Sequence, residues 1–212
     1  MTEKLTLEKK ETLIKSHVKE LNACKLCPLM VGPVVSHHAM LSKVMLVGQA
    51  PGPKEGEFGK PFAWTAGKTL FRWFASIGVD EELFRKRAYM AAVCRCFPGK
   101  TKHGGDRVPS KEEVASCSQW IKREFELLDP ELVIPVGRLA IDQFIDYSKL
   151  TDVIGKVHKV EVEGRKRDFI PLPHPSGAST WFKKDPGKTL TEAALKLLKE
   201  HEQWRKIFES ES

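Results

Sequence analysis

Apolar residues recur at Leu7, Leu13, Ile14, Val18 and Leu21 in the stretch TLEKKETLIKSHVKELNA, with charged residues between them. That spacing returns to one face every three to four residues, so residues 1–23 are expected to carry an amphipathic helix with a charged outer face. The period then changes. KVMLV reads as a buried strand, and GKTLFRWFASIG as a helix stopped at Gly78. AYMAAVCRC reads as a second buried strand, followed by the polar loop FPGKTKHGGDRVPS. Ser110 and Glu113 have the spacing of a capping box at the start of KEEVASCSQWIKREFELL. ELVIPV is a third strand, after which Gly137 opens a short helix to about Ile145. KVHKVEVEGRKRDFIPLPH reads as a hairpin turning near Gly164 and leading into a last buried strand. Asp185 and Pro186 suit the cap and first turn of a C-terminal helix.

Strands alternating with helices predict an α/β fold. The expectation is a single domain over 1–212 whose central, mostly parallel four-stranded sheet has helices on both faces. Ligands in such folds collect beyond the carboxyl ends of the strands. The loops GQAPG, CFPGK and HPSGAS all follow strands, so they should meet at one rim.

Composition narrows the partners. The 212 residues are 41% hydrophobic and carry a net charge of +7. A core can form, and the basic excess is compatible with a polyanionic partner. No stretch reaches the ~18 apolar residues of a membrane span, and MTEKLTLEKK has no apolar signal core. The expected location is cytoplasmic. Five cysteines in such a chain point to metal ligands, redox groups or core residues rather than a disulfide framework.

Some signals fail. GKT occurs at Gly67, Gly99 and Gly187, but the glycine that a P-loop needs five positions earlier is replaced by Phe62, Cys94 and Phe182. Ser176 and His174 sit in no G-x-S-x-G elbow. The cysteines are more informative. Cys24 and Cys27 form C-x2-C, Cys94 and Cys96 form C-x-C, and Cys117 follows in a helix. Cys24, Cys27, one strand cysteine and Cys117 make a four-thiolate set that suits zinc or a [4Fe–4S] cluster. Strand alternation puts Cys94 and Cys96 on the same face, so spacing leaves the third ligand open.

Taken together, GQAPGPKEGEFGKPF…AG, CFPGK…PSKEEVASC, ELVIPVGRLA and HPSGAS resemble the uracil-DNA glycosylase superfamily, most closely its iron–sulfur branch, family 4, and the related UDGX group. The resemblance covers about residues 20 to 200. It implies a [4Fe–4S] cluster on Cys24, Cys27, Cys96 and Cys117, with Cys96 preferred because CFPGK matches the family's CRPPGN. It implies a uracil pocket lined by the backbone of Gly48, Gln49, Ala50 and Gly52. Phe62 would stack on the extruded base and His174 would hydrogen-bond its carbonyl, while Ser176 and Ser179 would hold the DNA backbone.

Three departures from that pattern matter. The family's water-activating glutamate is replaced by Gln49, which orients water but takes no proton. Glu55 and Glu57 stand nearby and read as solvated charges on the outer part of the loop. Secondly, an inserted loop, 97–109, places Asp106 where the UDGX group has its sugar-bonding histidine. Asp106 is therefore the expected catalytic carboxylate, with His103 as runner-up, and Lys100, Lys102 and Arg107 are expected to contact phosphate. Thirdly, Ala91–Ala92 stands where the family reads uracil with an asparagine. Trp181 and Phe182 are candidates to wedge into the base stack, with packing of a helix start as the competing reading.

These residues predict a monomeric uracil-DNA glycosylase of base excision repair, with Asp106, His174 and Gln49 catalytic. It would take DNA containing uracil and release free uracil, leaving an abasic site. The alternative is a protein that binds or covalently traps uracil or abasic sites without efficient turnover.

Overall fold

The computed structural model describes residues 6–209, so residues 1–5 of the expected first helix lie outside the described residues. Along the chain stand α1 (Leu7–Asn22), β1 (Val44–Gly48), α2 (Glu55–Phe58), α3 (Thr65–Ala75), α4 (Glu81–Arg87), β2 (Tyr89–Ala92), α5 (Lys111–Leu128) and β3 (Leu132–Pro135). Then follow α6 (Arg138–Ile141), α7 (Leu150–Val153), β4 (His158–Val162), β5 (Arg165–Phe169), a 3₁₀ turn Trp181–Lys183, α8 (Gly187–Glu200) and α9 (Glu202–Phe208).

The strands form one sheet in the order β2-β1-β3-β5-β4. Four of them run parallel to their neighbours, as expected. The count is five rather than four, because the first arm of the hairpin, β4, pairs antiparallel with β5 and extends the sheet edge. The hairpin turns at Glu163 (φ 49°) and Gly164 (φ 70°), two consecutive left-handed residues that match the twist of the flanking strands.

Alternation along the strands divides the core in two. Val44 and Leu46 of β1 pack with α3, α4, α8 and α9 residues such as Phe74, Phe84, Leu198 and Trp204. Met45 and Val47 face the other way, onto Ile14 of α1 and Cys117 and Phe125 of α5. Burying both faces explains why the strands read as continuous apolar runs.

Two boundaries differ from expectation. β2 stops at Ala92. The Val93 and Cys94 amides still bond to the Gly48 and Gln49 carbonyls at 2.9 and 3.0 Å, and the chain then turns away. Strand alternation therefore says nothing about Cys94 and Cys96. The C-terminal helix begins at Gly187 with Pro186 at its cap, while Asp185 accepts from the Thr189 amide and hydroxyl. The capping box at Ser110 and Glu113 is present as expected.

Candidate active site

The carboxyl ends of β1, β2, β3 and β5 open on one rim, and a cavity of about 450 Å³ lies there. That volume suits a small ring system. Gly48, Gln49, Ala50, Gly52, Phe62, Asp106, His174 and Ser176 all line it. Gly48 ends β1, six of the others come from the loops that follow β1 and β5, and Asp106 comes from the inserted loop between β2 and α5.

The first loop is built around Phe62. This residue has φ 52°, a conformation that costs an ordinary side chain strain. Arg85 holds it there: its guanidinium donates to the carbonyls of Pro61 (2.8 Å) and Phe62 (3.0 Å) and is itself anchored by Glu81. Two glycines make room. A Cβ at Gly48 would lie 2.8 Å from the Phe62 ring, and one at Gly67 would lie 1.8 Å from the Phe62 carbonyl oxygen. The ring consequently lies directly over the end of β1.

Opposite, His174 and Gln49 are set by hydrogen bonding. The Ser176 amide donates to His174 Nδ1 at 3.3 Å. Nδ1 therefore carries no proton, and the neutral ring has its N–H at Nε2. Burial pushes the His174 pKa below the usual value, against the pull of the Asp106 charge, which favours this neutral form. Gln49 Oε1 accepts from the Leu139 amide at 3.0 Å, which leaves the Nε2 amide protons as its remaining donors. Gly137, at φ 88°, makes both placements possible: a Cβ there would meet Gln49 at 2.8 Å and His174 at 2.9 Å. Ala92 lines the cavity, whereas Ala91 turns into the core on the α5 side.

The inserted loop is a small hairpin. Lys100 and Asp106 form an isolated antiparallel bridge, Thr101 N–H bonds to the Gly105 carbonyl at 2.7 Å, and Arg107 N–H to that of Gly99 at 2.9 Å. Lys100 Nζ holds Asp106 Oδ1 at 2.6 Å, and both side chains are about half exposed. The other carboxylate oxygen, Oδ2, lies 4.0 Å from the position a Cβ would take on Gly52. A flexible turn would have left Asp106 in solvent; here it faces the first loop.

Two expectations need correction and one open choice is resolved. Arg107 is not free for phosphate: its guanidinium is bidentate on Glu113, 2.7 Å for each bond, and its Nε bonds to the Pro98 carbonyl. That pairing raises the pKa of Arg107 and lowers that of Glu113. Glu55 is not a solvated charge. It is 6% exposed, lines the cavity, and its Oε2 covers Gly52. Burial first, and Asp106 last, push its carboxyl above the usual range, while the amides of Gly52 and Trp64 oppose the shift. Glu57 does stay exposed, paired with Lys54. Finally, Trp181 and Phe182 follow the packing reading, both half-buried: Trp181 lies against Gly187 and the core, and Phe182 meets Trp73 edge-on at 5.0 Å. Lys102 and His103 are exposed on the hairpin. Ser179 donates its amide to the Ser176 carbonyl at 3.0 Å.

The cysteines converge behind the hairpin. Val31 and Phe97 exchange backbone hydrogen bonds, and the Val35 amide bonds to the Arg95 carbonyl, which draws the segment after Cys27 alongside Cys96. α1 packs on α5 through His17 and Glu124, which brings Cys24 towards Cys117. Burial first, and then Cys117, Cys24 and Cys96, push the Cys27 thiol up to about 11. Cys96 rises to about 11, by burial and by Cys117 and Cys24. Cys117 falls to about 6, helped first by the Cys94 thiol and then by Arg95. Cys117, burial and Cys27 in turn push the Cys94 thiol up. All five cysteines thus share one field, and four thiolates there need a cation among them. Among the described residues, no three His, Cys, Asp or Glu side chains close round a single ion. Four thiolates suit either a zinc, at about 2.3 Å from each sulfur, or a [4Fe–4S] cluster.

Comparison with known proteins identifies the family and the fold. Residues 36–199 match the family described as the Uracil DNA glycosylase superfamily. Among curated proteins, the chain is 33% identical over 170 residues to the type-4 uracil-DNA glycosylase of Archaeoglobus fulgidus, covering 75% of this chain and 79% of that one. It is 27% identical over 171 residues to the type-4 enzyme of Thermotoga maritima, covering 81% and 84%. Among solved structures, that of wild-type Pedobacter heparinus SMUG2 superposes with a TM-score of 0.52 at 12% identity, covering 88% of this chain and 97% of the other.

Proposed function

The chain belongs to the Uracil DNA glycosylase superfamily, and on that premise we propose that it hydrolyses the N-glycosidic bond of deoxyuridine in DNA. The products are free uracil and an abasic site, the first step of base excision repair. The type-4 enzymes that it resembles along most of its length support this reading. The observation that carries it is the meeting of Asp106 with Gln49, Phe62 and His174 in one cavity.

A base inside a duplex must leave the stack before its glycosidic bond can be reached. In the proposed complex uracil lies on the Phe62 ring with the Ala92 methyl at its edge. As the bond to C1′ breaks, its electron pair moves onto the uracil ring. The Nε2–H of His174 and the Nε2 protons of Gln49 donate to the ring oxygens where that charge collects. The sugar becomes an oxocarbenium-like cation at the cavity mouth. The ionised Asp106 faces that cation and orients a water. The water oxygen bonds to C1′, and its proton passes to Asp106 and on to solvent, while the uracil anion takes a proton from water. Glu55 sits deeper and holds the first loop in place through the Gly52 and Trp64 amides. Lys100, Lys102, Ser176 and Ser179 contact the phosphates in this reading.

Cys24, Cys27, Cys96 and Cys117 would hold a [4Fe–4S] cluster, with Cys96 chosen over Cys94 on the match of CFPGK to the family's loop. When bound, the cluster supplies a cross-link between the segment after α1 and the loop leaving β2. Iron and sulfide analysis with the visible spectrum tests this, and Cys96→Ala should bleach the protein where Cys94→Ala does not. No helix among the described residues is long and apolar enough to cross a membrane. A monomer acting in the cytoplasm is the proposed working form.

The test is alkaline cleavage of uracil-containing DNA after incubation with the protein. Strand breaks that depend on Asp106 support the mechanism. An SDS-stable shifted band would mean covalent capture instead, and retention without breaks would mean binding alone.

A further inference from the structure

Phe58 and Trp64 are the exposed large aromatics among the described residues, 48% and 41% accessible. They stack on each other, with ring centroids 5.8 Å apart and planes 23° from parallel. Trp64 also lines the cavity, so the pair forms a ledge continuous with its mouth. Local structure does not require either ring. Trp64 occupies the cap position of α3 and supplies no capping hydrogen bond, where Ser, Thr, Asp or Asn would stabilise the helix. Phe58 ends the one-turn helix α2, which Gly59 closes in a left-handed conformation at φ 63° and so turns the ring outward. Neither ring is spent on the core, unlike Trp181.

The surroundings are cationic. Lys68 Nζ lies 5.7 Å from the centre of the Trp64 ring, and Lys60 is exposed in the same loop. Stacked aromatics beside lysines form the pattern that holds unpaired nucleobases, because every base has a π face and every nucleotide a phosphate. We infer that Phe58 and Trp64 are a platform for the unpaired nucleobase next to the one in the cavity, which gives this chain a preference for single-stranded or locally opened DNA. The inference rests on the glycosylase reading for its substrate, and its measurement does not depend on cleavage.

The experiment measures binding of a uracil-free, fluorescently labelled oligothymidine strand, and of the same strand in a duplex, by anisotropy at fixed salt. Phe58→Ala and Trp64→Ala are each expected to weaken single-strand binding about tenfold and duplex binding much less. Trp64→Phe keeps a π face and is expected to recover most of the loss. Thermal midpoints matching the parent's show that the variants fold. Single-strand binding that is unchanged in both alanine variants overturns the platform, as does an equal loss on single strand and duplex. A chain that cleaves no uracil DNA, yet loses single-strand binding in these variants, keeps the platform and loses the glycosylase reading.

Discussion

Two acid–base pairs belong to the region between β2 and α5, built from the same chemistry in opposite surroundings. Arg95 and Glu124 are fully buried: Glu124 also accepts from Tyr89 Oη at 2.8 Å and faces His17 Nε2 at 3.3 Å. Burial opposes the ionisation of Glu124, yet Arg95 and His17 bring its pKa below the usual value. Lys100 and Asp106 are both about half in water. The buried pair cannot exchange partners without stranding a charge, so it fixes α1 and α5 behind the cysteines. The exposed pair is screened and weakly held, so in the proposed mechanism Lys100 would move to an incoming phosphate and free Asp106 for the sugar. Burial thus separates a fixed pair from one able to change partners.

The strongest way to break this comparison is to empty one partner of the buried pair. Glu124→Gln leaves the Arg95 charge unpaired, and a loss of about 3–5 kcal/mol in urea unfolding is expected. A change under ~1 kcal/mol would mean that the cluster does not hold the fold.

Acid should attack the same region next. Burial, the first cause, and His38 lower the pKa of His37 to about 4, and its ring lies edge-on to Tyr89. The unfolded chain takes up this proton near pH 6.5 and the native one only near 4. Stability therefore falls as pH drops through that window, by up to ~3 kcal/mol. His37→Gln should flatten this slope in melts between pH 4 and 7.

At the exposed pair, Asp106→Asn is expected to slow cleavage of uracil DNA about 100-fold while the melting temperature holds. A variant that cleaves as fast as the parent would remove Asp106 from the mechanism. The smallest effect belongs to its partner. Lys100→Ala should alter stability by less than ~1 kcal/mol and lower the salt dependence of DNA binding by about one phosphate contact.

Much of the site was legible because loop order in a parallel sheet is a topological matter. Strands that read as continuous apolar runs place Gln49, Pro98 and His174 at one rim whatever the packing details. Asp106 needed one further step, the family resemblance, and the Lys100–Asp106 bridge then turns it inward. Arg107 and Glu55 were misread for one shared reason. A charged residue in a loop looks solvated until its partner is known, and the capping-box glutamate Glu113 has lone pairs left to take a guanidinium. The only sequence clue was that Glu113 lies six residues after Arg107, at the start of the same helix. The aromatics were equally open: Trp181 and Phe182, for which wedging and packing both stood, find Gly187 and Trp73, while Phe58 and Trp64 find each other, Lys68 and solvent.

Periodicity, capping residues and glycine positions are local properties, so the chain itself determined the longer helices α1, α3, α5 and α8, the parallel core strands and the rim on which ligands gather. Burial is a property of the assembled molecule. Only the tertiary structure decided which carboxylate is dry, which arginine is taken and which aromatic pair faces water, because each depends on residues distant in sequence competing for the same space.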